Sequence, residues 1–400
     1  MEIRPAQAHE MDQLGLMGAY SYAGAFGDGV DNVVRNSQKP EWTLCAFDGE
    51  MMATSFAAFP FTIRANGNTL PYAGITAVGT RPEYRRQGLL RRIMTQAFVQ
   101  YKEQGQCTAG LWASQAAIYR RYGFSQLGAL RRYEVDTVDL RLIGDEPTGL
   151  TVNRYEGAQS LQSMKEVYRT FANQRFGYLH RGTPVWIETI LGEEDGPVWV
   201  AVVSDADKNP LGYVAYTLRA NKVKHAARSQ EIQIKDLAWT DVNAYRALWS
   251  YLGAHDLVGR VVWNNAPIDD PLHELMQEPR LLHHQDLEGS WFRLVDVPDA
   301  LGKRGYHGNG AIVIEVLEDS LAPWNAGCWQ LEVENGLAQV SKATKPAQLT
   351  LSTAALGAAF SGSRTVSDLV HWGMAQCTSD VMQADALFAT QHSPHCPDHY

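Results

Sequence analysis

Cysteine, basic charge and long apolar runs are all scarce in this sequence. Five cysteines occur in 400 residues, an odd number without paired spacing, which argues against a disulfide framework and favours a reducing cytoplasm. No stretch approaches the ~18 consecutive apolar residues of a membrane-spanning helix, and the first residues lack the basic start and apolar core of a signal peptide. Lys and Arg number 35 against 44 Asp and Glu. The net charge of −9 argues against broad binding of nucleic acid, with a local basic patch as the alternative.

Several nucleotide and catalytic motifs are also missing. The sequence contains no GxxxxGK followed by Ser or Thr, and no GxGxxG after its first strand. These absences argue against a phosphate-loop NTPase and a Rossmann dinucleotide fold. The motifs GxSxG and HExxH do not occur either.

What is present is the composition of a globular α/β (α+β) protein, with 45% hydrophobic and 20% charged residues. At ~100–200 residues per domain, the length predicts two to four domains. Hydrophobic periodicity predicts the order hairpin, strand, helix, strand twice, followed by a smaller α+β unit. We therefore predict domains over residues 1–145, 146–297 and 298–400, the first two being a duplicated fold with a final first-domain strand near residues 131–135.

The most informative segment covers residues 78–90 and reads V-G-T-R-P-E-Y-R-R-Q-G-L-L. A strand ends there and apolar residues at helical spacing follow, which predicts Gly88 near a helix N-terminus. The free N–H groups at such an end favour a phosphate, and Arg85, Arg86 and Arg91 can neutralise it. Gly88 would also remove a Cβ where a pyrophosphate comes close. The alternative is a solvated basic helix face. The second copy lacks this turn, so we expect only the first to retain a phosphate site.

The pattern Arg85-x-x-Gly88-x-Leu90 after a strand resembles the acetyl-CoA pyrophosphate loop of the GNAT superfamily of N-acetyltransferases. Leu90 departs from the usual pattern, Q/R-x-x-G-x-G/A. The run R-R-Q-G-L-L is nevertheless similar to the variant in the enhanced intracellular survival (Eis) family. So are L-W-A-S-Q-A-A-I-Y-R-R-Y-G-F over residues 111–124 and D-A-L-F-A-T over residues 385–390. The resemblance covers essentially the whole chain.

This resemblance implies tandem GNAT-fold domains, each a mixed central sheet flanked by helices, followed by a small α+β sterol-carrier-like domain. It implies acetyl-CoA as co-substrate and no metal. A splayed strand would hold the pantetheine through its backbone, and an N–H near Val78 would polarise the thioester carbonyl. The implied cofactor-binding residues are Ala77, Val78, Arg85, Arg86, Gln87, Gly88, Leu89 and Leu90.

Tyr119 matches the general acid of the Eis family, which would protonate the departing coenzyme A thiolate. From the residues alone, a core tyrosine in the helix I-Y-R-R-Y is the alternative. Tyr122 is a rival because it lies one turn away. The resemblance favours Tyr119, because its position before Gly123 and Phe124 matches the family pattern.

The resemblance also implies a role for the carboxylate of the last residue, here Tyr400, as the general base that takes the amine proton. A frayed tail is the alternative, although Pro394 and Pro397 should stiffen this segment. The tail also carries His392, His395, Cys396 and His399. Their spacing fits no recognised zinc pattern, so we predict no metal site and expect His399 to tune the carboxylate or to act as an auxiliary base.

Candidate residues for binding the acceptor are acidic or aromatic. Asp28 lies with Asp31 in a Gly-rich loop, and Asp398 lies beside the terminus. Carboxylates there would attract polycationic amines, in line with the aminoglycoside acceptors of the family, while a solvated acidic loop is the alternative. The aromatic candidates are Phe26, Trp42 and Tyr72.

Together these features predict an N-acetyltransferase that transfers acetyl directly, in a ternary complex, to primary amines of polycationic small molecules or peptides, including aminoglycosides and Lys side chains. The resemblance further implies a homohexamer. The alternative function is a lipid- or sterol-binding carrier with a vestigial acetyltransferase domain. That alternative depends on the apolar segments 349–356 and 366–374, which can equally be core.

Overall fold

The computed structural model describes residues 1–23, 37–193, 196–220 and 227–400. They form two compact units. The first unit contains Met1–Gly128, Gln174–His180 and Gly289–Tyr400, and the second contains Ala129–Asn173 and Arg181–Glu288. Within these ranges no helix is long and apolar enough to cross a membrane.

The described residues contain strands of two to fifteen residues and short or medium helices. The strands are β1 Glu2–Arg4, β2 Cys45–Asp48, β3 Met51–Ala65, β4 Asn68–Thr80, β5 Thr108–Leu111, β6 Ser125–Gln126, β7 Ala129–Asp136, β8 Thr151–Glu156, β9 Phe176–Leu179, β10 Val198–Ser204, β11 Pro210–Ala220, β12 Gln230–Trp239, β13 Val258–Pro267, β14 Gln285–Glu288, β15 Trp291–Leu294, β16 Gly310–Val316, β17 Gly327–Glu334, β18 Leu337–Lys342, β19 Leu349–Leu351 and β20 Ala375–Cys377. The α-helices are α1 Met11–Tyr22, α2 Leu89–Glu103, α3 Ala116–Arg120, α4 Leu161–Asn173, α5 Val242–Gly253, α6 Leu272–Leu275, α7 Val297–Lys303, α8 Thr353–Ser361, α9 Val366–His371 and α10 Val381–Phe388.

The first sheet, in the first unit, has the order β1-β2-β3-β4-β5-β15-β6, with β9 also paired to β3. It is mixed, because β4 and β5 are parallel whereas the other pairs are antiparallel. Helix α2 buries the apolar residues expected from their spacing, namely Leu89, Ile93, Met94, Ala97, Phe98 and Tyr101. They pack against Ala73 and Ile75 of β4. Helix α1 packs with Phe47 and Ala57, in a separate core cluster.

The second sheet, in the second unit, has the order β14-β7-β13-β12-β11-β10-β8. The hairpin β10–β11 is followed by β12, α5 and β13, and β12 and β13 are the parallel pair. This order repeats the hairpin β2–β3, strand β4, helix α2 and strand β5 of the first unit. The predicted duplication of a mixed sheet flanked by helices is therefore confirmed.

Strand pairing departs from the expected assignment at three places. The strand predicted near residues 131–135 forms as β7, but it pairs with β13 and β14 in the second sheet, so its expected place in the first sheet is wrong. Conversely, β9 and β15 pair in the first sheet. The domain limits at residues 145 and 297 stay predictions, and these pairings cross both of them.

The third sheet, in the first unit, has the order β18-β17-β16-β19-β20. Asn335 and Gly336 join β17 to β18 with φ of 51° and 79°, as expected for a two-residue hairpin turn. The apolar segments considered for lipid binding form core here, since Leu349, Leu356, Val366 and other residues of α8 and α9 are buried.

Candidate active site

The turn from β4 into α2 carries the arginine-rich segment. Pro82–Tyr84 forms a single 3₁₀ turn, and the chain enters α2 from Gly88. Within the described chain, no side chain caps this helix and its first turn holds no acidic residue. Because the first amides of a helix have no acceptor within it, those of Leu89 and Leu90 can serve an anion at the positive helix end.

Gly88 is favoured here by its backbone conformation. Its φ is 73°, in the left-handed region that other residues rarely adopt. A Cβ placed on Gly88 would meet no protein atom of the described residues within 4 Å. The structure thus adds a conformational requirement to the steric one that was expected from a nearby pyrophosphate.

A cavity of about 600 Å³ lies beside this turn. Four arginines line it, and the described residues contribute no carboxylate to its lining. These arginines are Arg85, Arg86, Arg91 and Arg121. The cavity is therefore electropositive and suits a ligand with several phosphate charges.

Strand β4 separates from β5 next to this cavity. The last parallel pair joins Ile75 to Leu111, whereas β4 continues to Thr80. A register shift on the β3 side leaves Ala77 and Val78 without a pairing partner among the described strands, and Ala77 has a φ of 50°. The bulge frees backbone groups of these two residues from the sheet, within the stretch of residues 75–78 where the resemblance implies a splayed strand.

Tyr119 lies in α3 and is buried against Phe124, whose ring centre is 6.1 Å from its own. Burial raises the pKa of its hydroxyl, and nearby Tyr22 and Tyr122 raise that pKa further. Tyr22 also donates a hydrogen bond of 2.9 Å to the carbonyl of Val78. Tyr119 therefore stays protonated at neutral pH, as a proton donor must.

Tyr122, the rival candidate, lines the arginine cavity itself. Burial raises the pKa of its hydroxyl, while Arg121 and Arg91 lower it. Its backbone carbonyl accepts a hydrogen bond from the guanidinium of Arg293. Tyr122 thus lies beside the arginine-rich turn.

Residues 394–400, the tail, are packed within the first unit. The amide of His395 donates to the carbonyl of Phe176 at 3.0 Å, and the indole Nε1 of Trp112 donates to the carbonyl of Asp398 at 2.9 Å. The ring of His399 stacks on Trp112 with centres 3.8 Å apart. The alternative of a frayed tail is therefore not observed.

The side chain of Tyr400 is buried beside the sheet. Its hydroxyl lies 2.6 Å from that of Tyr72, and its ring packs edge-on against Phe61 with centres 5.2 Å apart. Burial raises the pKa of both tyrosine hydroxyls. Tyr72 is the first residue of β4 that pairs with β5, whereas Trp112, which contacts Asp398 and His399, directly follows the last paired residue of β5. The tail therefore spans this paired stretch and reaches the place where the two strands separate.

The chain is similar along its whole length to known acetyltransferases. The family described as "Acetyltransferase (GNAT) domain" matches residues 2–127 and 177–294, and the "Sterol carrier protein domain" matches residues 297–397. The crystal structure of Eis1 from Mycobacterium abscessus has a TM-score of 0.84 at 26% identity, with 100% of both chains covered. A GCN5-related N-acetyltransferase from Anabaena variabilis has the same fold, with a TM-score of 0.85 at 24% identity and 100% of both chains covered.

Proteins that are similar in sequence are also named N-acetyltransferases. The N-acetyltransferase Eis of Mycobacterium tuberculosis is 28% identical over 307 residues, 75% of this chain and 73% of the relative. An uncharacterized N-acetyltransferase of Streptomyces coelicolor is 30% identical over 331 residues, 80% of this chain and 79% of the relative. The chain belongs to the Eis family of GNAT N-acetyltransferases. It is an N-acetyltransferase, and its GNAT fold implies acetyl-CoA as the co-substrate.

The acceptor residues expected for this Eis-family enzyme are only partly brought together. Asp398 and Tyr72 are buried near Tyr400. Trp42 instead packs with the cluster of α2 and borders a small hollow with Tyr101, so it is not beside Tyr400. Phe26 and Asp28 lie outside the described residues, as does Asp31.

The Eis-family site also contains residues that sequence reasoning missed. Trp112 holds the tail, Tyr22 binds the carbonyl of Val78, and Ser320 lines the arginine cavity. Arg121 was visible in the run I-Y-R-R-Y, but its pattern did not show which arginine faces the cavity. Within the described ranges no group of three or more metal-ligating side chains is found.

Proposed function

We propose that this enzyme binds acetyl-CoA and a primary amine together and transfers the acetyl group directly between them. The observation that carries this proposal is that the chain leads from the bulge at Ala77 and Val78, through the 3₁₀ turn at Pro82–Tyr84, to an N-terminus of α2 that no described side chain caps. The diphosphate of the donor would take the amides of Leu89 and Leu90 with Arg85 and Arg86. Its pantetheine arm would run along the unpaired end of β4.

The transfer proceeds through attack of the neutral amine on the thioester carbonyl carbon. A C–N bond forms, and negative charge develops on the carbonyl oxygen, where an N–H near Val78 stabilises it. The C–S bond then breaks and the thiolate takes the proton of the Tyr119 hydroxyl. The amine nitrogen loses one proton, so the products are the amide and free coenzyme A.

The proton of the amine requires a base, and we assign this role to the carboxylate of Tyr400, as the family resemblance implies. The proposal is supported by the packing of its ring between Tyr72 and Phe61, which fixes the last residue beside β4. A fixed carboxylate in a partly enclosed site is a stronger base than one in water, because burial raises its pKa.

Two variants separate the base from simple packing. Tyr400→Phe keeps the ring and the carboxylate, so we expect near-normal turnover. A single glycine added after Tyr400 displaces the carboxylate and should abolish turnover while acetyl-CoA binding, measured by isothermal titration, is unchanged. Full turnover by the extended chain would remove Tyr400 from the mechanism.

We propose polycationic primary amines, such as aminoglycosides and Lys side chains, as acceptors. The net charge of −9 favours cationic partners, whereas Asp398 is only 2% exposed and contributes little surface charge. A screen of amines that follows coenzyme A release tests this class. Equal activity with neutral monoamines would contradict it.

We also propose the homohexamer of the family and a cytoplasmic location. In the C-terminal region, the exposed fractions of Trp372, Met374 and Met382 are 52%, 49% and 65%. Large apolar side chains of this kind are commonly buried in subunit contacts. Sedimentation velocity of the full chain measures the assembly. A single monomer boundary at micromolar concentration would contradict the hexamer.

A further inference from the structure

The arginine cavity has more positive charge than a diphosphate requires. The diphosphate proposed at the α2 N-terminus carries two negative charges, which Arg85, Arg86 and the helix amides can neutralise. Arg91 and Arg121 also line the cavity, and no carboxylate of the described residues lines it with them. Their charges are therefore left for another anionic group of the same ligand.

Arg91 and Arg121 line this cavity together with Tyr122 and Ser320. The Nη2 of Arg91 lies 3.5 Å from the Oγ of Ser320. Two guanidinium groups and two hydroxyl groups form a donor set that suits a phosphate monoester.

The carboxylate of Asp319, next to Ser320 in the sequence, does not line the cavity. Asp319 is buried and accepts hydrogen bonds of 2.6 and 2.5 Å from Arg293. It also accepts from the amides of Leu321 and Ala322, at 3.2 and 3.1 Å. These bonds fix the segment that carries Ser320. The negative charge of Asp319 is paired with Arg293.

We propose that Arg91, Arg121 and Ser320 form a subsite for the 3′-phosphate of the acyl donor. The enzyme would thereby distinguish acetyl-CoA from donors that lack this phosphate, and the sterol-carrier-like domain would contribute Ser320 to donor binding. This inference rests on the proposed function, since it requires the diphosphate at the N-terminus of α2. A phosphate monoester carries close to two negative charges at neutral pH, which matches the two remaining arginines.

Isothermal titration of the full chain with acetyl-CoA and with acetyl-dephospho-CoA tests the subsite. We expect the dephospho compound to bind at least about tenfold more weakly, as for the loss of hydrogen bonds to a charged group. Arg121→Gln and Arg91→Gln should weaken acetyl-CoA binding while leaving acetyl-dephospho-CoA binding nearly unchanged. Ser320→Asp, which places a carboxylate beside Arg91, should act in the same direction.

Neighbouring arginines provide matched controls. Arg120 lies over the ring of Trp291, and neither it nor Arg92 lines the cavity. Arg120→Gln and Arg92→Gln change the net charge equally and should leave the ratio of the two affinities unchanged. Equal affinity of the unchanged enzyme for both donors would overturn the subsite while leaving the proposed function intact. Failure of both donors to bind or react would instead contradict the proposed function.

Discussion

At the N-terminus of α2 no described side chain caps the first amides, and four arginines line the adjacent cavity. At the N-terminus of α5, the corresponding helix of the second unit, the carboxylate of Asp241 accepts hydrogen bonds from the amides of Asn243 and Ala244 at 2.8 and 3.0 Å. The protein's own anion thus takes the groups that a phosphate would need. One capping carboxylate is therefore enough to occupy the amides of an anion site, while the fold around the helix stays the same.

The strands that lead into these helices differ in the same sense. Both β4 and β12 lose their parallel partner part-way, after Ile75 and after Ile234. Beyond that point both strands have an irregular register, at Ala77 and Val78 in β4 and at Lys235 in β12. Only β12 carries a buried carboxylate there, because Asp236 is paired with Arg181 at 2.6 Å. The Tyr213 hydroxyl donates to the same carboxylate. In the second unit a buried ion pair therefore occupies the stretch that corresponds to the proposed donor cleft.

Gly88→Asp is expected to have the largest effect, because it copies the capping carboxylate of the second unit into the first. It should weaken acetyl-CoA binding by at least ~100-fold, from a strained φ and from repulsion of the diphosphate. Gly105→Asp is the matched control, since Gly105 has a φ of 75° and free space around its Cβ position at the other end of α2. Equal losses in isothermal titration for both variants would show that strain alone is responsible.

Tyr119→Phe should reduce kcat by ~100-fold, as for removal of a general acid, without weakening acetyl-CoA binding. Because burial raises the pKa of this hydroxyl, kcat of the unchanged enzyme should show no decline from Tyr119 ionisation below pH 9. Tyr122→Phe should change kcat less, since Tyr122 lines the arginine cavity proposed for the diphosphate. A normal kcat for Tyr119→Phe, measured by coenzyme A release, would contradict its role.

The second unit contains a carboxyl that titrates near neutrality. Burial raises the pKa of Asp270 from 3.8 to about 7, although Tyr245 and the amide of Leu272 donate hydrogen bonds to it. Because the pKa of Asp270 is higher in the folded than in the unfolded protein, its protonation stabilises the fold. This contribution to the free energy of unfolding is complete below pH 4 and is lost as the pH rises through about 7. We expect the free energy of unfolding to fall by roughly 2–4 kcal/mol over this range relative to Asp270→Asn. Urea denaturation of both proteins between pH 4 and pH 7 measures this difference. The same pH dependence of the free energy of unfolding in the two proteins would contradict it.

Asp241→Ala should have the smallest effect. Loss of the cap should lower the free energy of unfolding by about 1 kcal/mol. It should not create a second acetyl-CoA site, because the buried pair of Asp236 and Arg181 still occupies the adjoining stretch of β12. Isothermal titration should still give one acetyl-CoA per chain. A second binding event in this variant would show that the cap alone suppresses donor binding in the second unit.

Local structure was largely predictable from the sequence. The turn pair Asn335 and Gly336, the apolar stripe of α2 and the position of Gly88 follow from backbone preferences and from helical spacing, which short segments of sequence encode. The pairing of β7, β9 and β15 was not predictable, because a strand of four to eight residues shows which of its faces is buried but not which strand lies beside it.

The candidate site was predictable only where a local motif exists. The composition of the arginine-rich turn indicates an anion site. Ser320, in contrast, is placed at the cavity by the buried pair of Arg293 and Asp319, which lie 26 residues apart in the sequence. The packing of Tyr400 on Tyr72 joins residues 328 positions apart. Such long-range contacts depend on the assembled fold, so no spacing rule shows them.

A crystal structure of the full chain with acetyl-CoA tests the central claim most directly. The account predicts a diphosphate within hydrogen-bonding distance of the amides of Leu89 and Leu90, with Asp241 still capping α5 and no donor beside it. A donor bound at the α5 end, or bound to the first unit away from α2, would contradict the account.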